Sequence, residues 1–340
     1  MKPVSPSTHL VAYLRTLHNN CTPPTIRYYM EHDMEPVDEA LMINDDILTA
    51  SVDTADPTDA EAMFELHIQY REAGDETKAH KWLHKAAELG HCQALTKLSA
   101  RADGENRLAL VLKAAELGCD QAQYDLGLWY LHYTSTDYVQ KDYAQAAFWL
   151  EKAAEQGNMD AQLKLGLMYL EGQGVPQDDD VALAWIRKSA EQEHEWAYSQ
   201  LGMMYLEGRS VSQSDEEAAA CFLKAAKLED FDATYQLGVM YLEGRGVLQD
   251  DEQACFWIRK AAEMGGRDAQ ALLGSMLELG HATPRNLNEA AEWLAKAADW
   301  GDEDAQIRLD RLLRSGVLAE RTRDRIDLLS RDPGAGRILH

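Results

Sequence analysis

An all-α chain of stacked helical hairpins, an α-solenoid, is the fold class predicted for these 340 residues, and three observations predict it. Ala161, Ala197, Ala233, Ala269 and Ala305 recur every 36 residues, and Leu165, Leu201, Leu237, Leu273 and Leu309 keep the same step. Two glycine sets share it: Gly166, Gly202, Gly238 and Gly274, then Gly172, Gly208, Gly244 and Gly280. Finally, Lys-Ala-Ala or Lys-Ser-Ala begins at Lys85, Lys113, Lys152, Lys188, Lys224, Lys260 and Lys296. Three positions before each stands Trp82, Leu110, Trp149, Trp185, Cys221, Trp257 or Trp293. Self-similarity at such a period is the mark of a repeat architecture. The count gives about seven hairpins.

The first segment of a unit is read from Ala161, Leu165 and Tyr169, whose spacing of four lays them along one helical face. Gly166 interrupts that helix at a cost of about 1 kcal/mol relative to alanine. A glycine repeated there predicts close helix–helix approach. The helix stops at "EGQGVPQDD", where Gly172 and Gly174 end it and Pro176 blocks continuation. Asp178, Asp179 and Asp180 then stand where a second helix starts, placed to cap it and to complement its dipole. That helix carries Trp185, Lys188, Ser189 and Ala190. The small residues admit neighbouring helices, and the bulky one fills the space between units. The first two copies have shorter linkers, and the third has a longer one, "HYTSTDYVQKDY".

Residues 58–316 hold the repeats. Residues 1–57 precede them, with "HLVAYLRTLH" and "DEALMINDDILTASV" as possible helices around Pro23-Pro24, read as a helical cap or a recruitment segment. Solenoids need atypical ends to shield the last apolar face. At the other end, "EDAQIRLDRLLRSG" begins an eighth first-type helix, residues 318–330 add a capping helix, and 317–340 close with a mobile tail. Eight arginines fall between Arg308 and Arg337. They are read as a solvated tail or as partners of acidic helices.

The pattern A-x-x-x-L-G-x-x-Y-x-x-G-x-G-V-x-x-D, followed by W-x-x-K-A-A, resembles the Sel-one-like repeat, a relative of the tetratricopeptide repeat. It departs from that pattern at His67 in place of the first-helix glycine, at Cys221 for tryptophan and at Leu277 for tyrosine. The resemblance implies a right-handed α-solenoid. It also implies a role as an adaptor or scaffold in signalling, secretion, envelope biogenesis or toxin–immunity systems.

Acids outnumber bases 58 to 33, a formal charge of −25. Such a surface repels phosphate backbones and anionic lipid, so nucleic acid is excluded as a partner and a basic protein favoured. No run of 18 apolar residues spans a bilayer, and residues 1–20 lack the apolar core and cleavage site of a secretory signal. Five cysteines, Cys21, Cys92, Cys119, Cys221 and Cys255, form no CxxC spacing and no even framework. They are read as reduced thiols of a cytoplasmic protein. The resemblance extends to secreted members linked to β-lactam binding, whose repeat-spaced disulfides this spacing does not match.

No catalytic, cofactor or metal site emerges. The glycine pairs fit neither a phosphate loop nor a dinucleotide fingerprint. The acidic triplets at Asp178, Asp215 and Asp250 could suggest a hard cation, but adjacent helical residues diverge, and capping is preferred. His80 and His84 share a face without completing a zinc site. What remains is a surface. By analogy with tetratricopeptide geometry the first helices line a concave side, and Tyr124, Leu128, Leu163, Leu167, Trp196, Met203, Tyr235 and Val239 are expected to contact a protein there. The expected function is a non-enzymatic adaptor holding a partner protein. The alternative is an immunity protein or inhibitor masking a toxic, basic effector.

Overall fold

The computed structural model describes residues 59–132 and 140–331. The expectations for residues 1–57, for most of the long third linker and for the terminal tail lie outside these. Sixteen helices and no strand occur among the described residues. Seven hairpins run α1 (Ala60–Glu72) with α2 (Glu76–Glu88), α3 (Cys92–Arg101) with α4 (Gly104–Glu116), and α5 (Asp120–Leu131) with α6 (Tyr143–Glu155). They continue with α7 (Met159–Glu171) and α8 (Asp179–Glu191), α9 (Glu195–Glu207) and α10 (Asp215–Lys227), α11 (Phe231–Glu243) and α12 (Asp251–Glu263), and α13 (Arg267–Leu279) and α14 (Leu287–Asp299). Then come α15 (Glu303–Ser315) and α16 (Glu320–Arg331). The first member of each hairpin is helix A and the second helix B. The chain divides into two compact units: residues up to Ala161 with 173–175, and residues 162–172 with those from 176 onward.

The repeat glycine does what its spacing predicts. A Cβ on Gly238 would lie 2.6 Å from Ile258 Cγ1 and 3.0 Å from the Ile258 backbone nitrogen. Helix A therefore lies against helix B with no room for a side chain, and Ile258 fills the seam, fully buried. Two of the three acidic triplets cap helix B: Asp178 accepts from the Asp180 and Val181 amides at 3.0 and 3.1 Å, and Asp250 accepts from Glu252 and Gln253, whereas α10 is capped by Ser214, which accepts from Glu217. In the linker, Gly246 adopts φ +66°, and a Cβ there would sit 2.0 Å from the Asp215 carbonyl oxygen of the preceding repeat. These glycines serve chain geometry.

Two further devices join successive repeats. The lysine of Lys-Ala-Ala lies over the tryptophan one turn earlier, 3.9 Å for Lys188 over Trp185 and 3.8 Å for Lys296 over Trp293. Lys113 and Lys260 also donate to Ala87 and Ala226, carbonyls at the C-terminal end of the previous helix B, where a cation suits the dipole. Where Cys221 replaces tryptophan, Lys224 turns to the Tyr198 ring, 5.0 Å away. In the linkers Arg209 donates to both Asp179 oxygens and to the Leu170 carbonyl, and Arg245 repeats the pairing with Asp215. The hydrogen bond from Arg209 holds the Asp179 carboxyl below its usual range. Arg209→Ala is expected to cost about 1 kcal/mol at neutral pH, since the pair is half-exposed. Protonating Asp179 removes the same contribution, so wild type and variant should converge in stability as pH falls through that depressed pKa. Urea titrations at neutral and acid pH check this.

One expectation is overturned. Cys92 and Cys119 are not reduced thiols; they are disulfide-bonded, with Cα atoms 5.4 Å apart. Cys92 is the first residue of α3 and Cys119 the N-cap of α5, one position out of register at the starts of consecutive A helices. Cys221 and Cys255 remain free thiols.

At the C-terminal end α16 lies against α14, with Leu318 and Ile326 in the same core as Leu294. The Ala319 amide donates to Asn288. Arg308 and Arg311 pair with Glu278, and Arg325 with Glu292, so part of the arginine run does meet acidic helices.

Candidate functional site

Helix A turns about 100° per residue, so its residues sort into rows by offset from its start. In α11, Ala233, Leu237 and Met240 face the core. The opposite face is made by the residues one, four, five, eight and twelve places after the helix start. At the eighth place the second unit has Leu167 in α7, Met203 in α9 and Val239 in α11, and the first unit has Leu128 in α5, each half-buried. Trp196, one place into α9, is 54% exposed, and the Lys164 ammonium lies 5.8 Å from its ring centre.

Offset four lies at the flank of this face, toward the neighbouring repeat. Tyr124 and Tyr235 occupy it half-buried. Burial, then the carboxylates of Asp160 and Asp125, push the Tyr124 phenol up to about 12. Burial and the charges of Asp268 and Glu243 raise Tyr235 likewise. Leu163, in the same row, is a correction: it is 2% exposed and packs in the core with Ile186 and Leu201, out of a partner's reach. A flank position closes when its side chain is short enough for the next repeat to cover it, as at Ser199. Of the eight expected contact residues, Trp196 is exposed, Tyr124, Leu128, Leu167, Met203, Tyr235 and Val239 are half-buried, and Leu163 is buried.

Sequence reasoning missed how this face ends. Ser275 and Arg311 continue the row of Met203 and Val239, and Glu278 stands where preceding repeats have Leu170, Leu206 and Leu242. Comparing rows rather than motifs would have found it.

Chemistry is sparse elsewhere. Among the described residues no three His, Cys, Asp or Glu side chains are grouped to hold a metal ion, and no helix is long and apolar enough to cross a membrane. The His80 and His84 rings meet edge-on, 4.5 Å apart, and burial plus the neighbouring imidazole lowers the His84 pKa. A cavity of about 260 Å³ is lined by Ile68, Arg71, Glu72 and Lys97.

The Sel1 repeat profile matches residues 69–91, 120–158, 160–194, 197–230, 231–266 and 267–302. The chain belongs to the Sel1 repeat family. Sel1 repeat proteins are generally non-catalytic, protein-binding scaffolds. The Sel1-repeat-containing protein YjcO of Escherichia coli K12 is 31% identical over 140 residues, 38% of this chain and 59% of that protein. The crystal structure of c5321, described as a protective antigen present in uropathogenic Escherichia coli strains, has 33% identity and a TM-score of 0.69. It covers 84% of this chain and 64% of its own. This chain thus spans less than two thirds of either relative. A Sel1 repeat protein from Oxalobacter formigenes matches at 32% identity and a TM-score of 0.64, over 75% of this chain and 76% of that one. The profile passes over residues 92–119, the hairpin that the disulfide closes.

Proposed function

We propose that this Sel1 repeat protein is a non-catalytic adaptor that takes a partner protein on the outer face of its A helices. One observation carries the reading. Leu167, Met203 and Val239 keep one row apolar while only half-buried; Leu167 and Met203 rest against the repeat core and leave part of each side chain in solvent. Trp196 stands exposed beside them. Aromatic and methionine side chains at an accessible surface supply contact area for an extended or helical segment. The carboxylates of Asp232, Asp268, Glu207 and Glu243 share these helices, which favours a basic segment.

The test is retention of a partner. Wild-type protein and the variant Trp196→Ala/Met203→Ala/Tyr235→Ala are immobilised, and proteins captured from the producing cells are compared by mass spectrometry. At least one partner should be retained by wild type and weakened tenfold or more in the folded variant. A second variant, Tyr124→Ala/Leu128→Ala, asks the same of the first unit. Equal capture by wild type and both variants would remove this face from the function. A captured basic toxin would make the protein an inhibitor.

A further inference from the structure

We propose that the C-terminal end of the A-helix face is a docking site for an acidic, apolar-tipped segment of the partner protein. The inference rests on the reading that this face binds protein and deepens it by naming the chemistry met at one end. Three rows change character together in the last two A helices. Where α7, α9 and α11 have Leu170, Leu206 and Leu242, α13 has Glu278 and α15 has Arg314. Where they have Leu167, Met203 and Val239, α15 has Arg311. Where they end in Glu171, Glu207 and Glu243, α13 ends in Leu279. Arg311 and Arg314 appear, the row of exposed glutamates ends at Leu279, and the one acid added, Glu278, is buried.

The geometry shows a purpose other than stability. Glu278 is 7% exposed, and a buried carboxylate costs several kcal/mol unless it is paired. The leucine of three preceding repeats fills the place without that cost. In exchange Glu278 accepts from two guanidinium groups, Arg308 Nη1 at 3.0 Å and Arg311 Nη2. One arginine neutralises one carboxylate, so a positive charge is left over. Arg311 is held by one edge while its side chain stays 65% exposed, leaving donors of its planar fork turned to solvent. Arg314 is 83% exposed, 3.8 Å from Asp310. A guanidinium already fixed in position binds a carboxylate without the usual ordering cost. Apolar contact is at hand in Leu279 and Ile307, among the most exposed large apolar side chains described.

Two fluorescein-labelled dodecapeptides test the site by anisotropy with the whole protein, one of Glu, Asp, Leu and Phe and one of Lys, Arg, Leu and Phe. The measurement is made near 150 mM salt, where the Debye length of ~8 Å screens the protein's net charge and leaves direct contacts. The acidic peptide should bind wild type and lose at least tenfold in affinity with Arg311→Gln/Arg314→Gln. Arg308 still pairs with Glu278 in this variant, so the thermal melt should move little. The basic peptide should be indifferent to that change and should weaken with Glu207→Gln/Glu243→Gln. An acidic peptide that ignores wild type, or binds the arginine variant as tightly, overturns this proposal. A basic peptide that fails to bind wild type, with the acidic peptide behaving as expected, would count against the adaptor reading instead.

Discussion

Replacing Cys92 and Cys119 by serine is expected to lower the free energy of unfolding by roughly 3–4 kcal/mol, the chain-entropy value for a closed loop of this length. The bond spans 27 positions and encloses the α3–α4 hairpin. That hairpin lacks the features that hold the others. Ser99 stands where the A helices of the next five hairpins have glycine, and Leu110 where five of the other six B helices have tryptophan. Its first helix is also the shortest described, Cys92–Arg101. The loss should therefore be local as well as global, with amide exchange and limited proteolysis rising first between residues 92 and 119. Equal urea midpoints for wild type and the double serine variant would show that the bond constrains nothing. Alkylating free thiols at the moment of lysis reads the compartment. A bond intact in the cell places the protein where disulfides persist, whereas two trapped thiols would restore the cytoplasmic expectation.

The second large effect lies in the seam between helix A and helix B. Ile258→Ala should cost about 2–5 kcal/mol, because the side chain is fully buried and the rigid backbone beside Gly238 cannot collapse into the space. Gly238→Ala should cost about 1–3 kcal/mol through overpacking, reduced by the ~1 kcal/mol that alanine gains in helix propensity. The combination should cost less than the sum, by about 0.5–3 kcal/mol, since the methyl added to residue 238 enters the volume vacated at 258. Strict additivity in denaturant titrations would mean that the glycine is there for another reason.

These expectations show which parts of the molecule could be read from the chain. Glycine, alanine and the Lys-Ala-Ala signature report contacts within and between hairpins, and such contacts repeat, so periodicity exposed them. Capping by Asp178 and Asp250 was legible for the same reason. Leu163 was misplaced because helical offset alone does not say which flank residues the next repeat covers. The disulfide was missed because cysteines were counted, not registered against the repeat, where Cys92 and Cys119 fall within one position of each other at the starts of consecutive A helices. The arginine-bound Glu278 was passed over because a motif search attends to what recurs, and this site consists of departures.

The identical ties between neighbours have a genetic consequence. Arg245 meets Asp215 as Arg209 meets Asp179, each reaching back 30 positions. Deleting residues 209–244 in frame would join Gly208 to Arg245, hand Asp179 a new arginine and set Ile258 against Gly202 in place of Phe222. Unequal crossing-over can thus shorten or lengthen such a gene by whole turns of the pattern, and stability then follows neighbour terms that change little. Each event removes or adds one strip of recognition residues, so the lineage can explore new ligands without first solving the folding problem again.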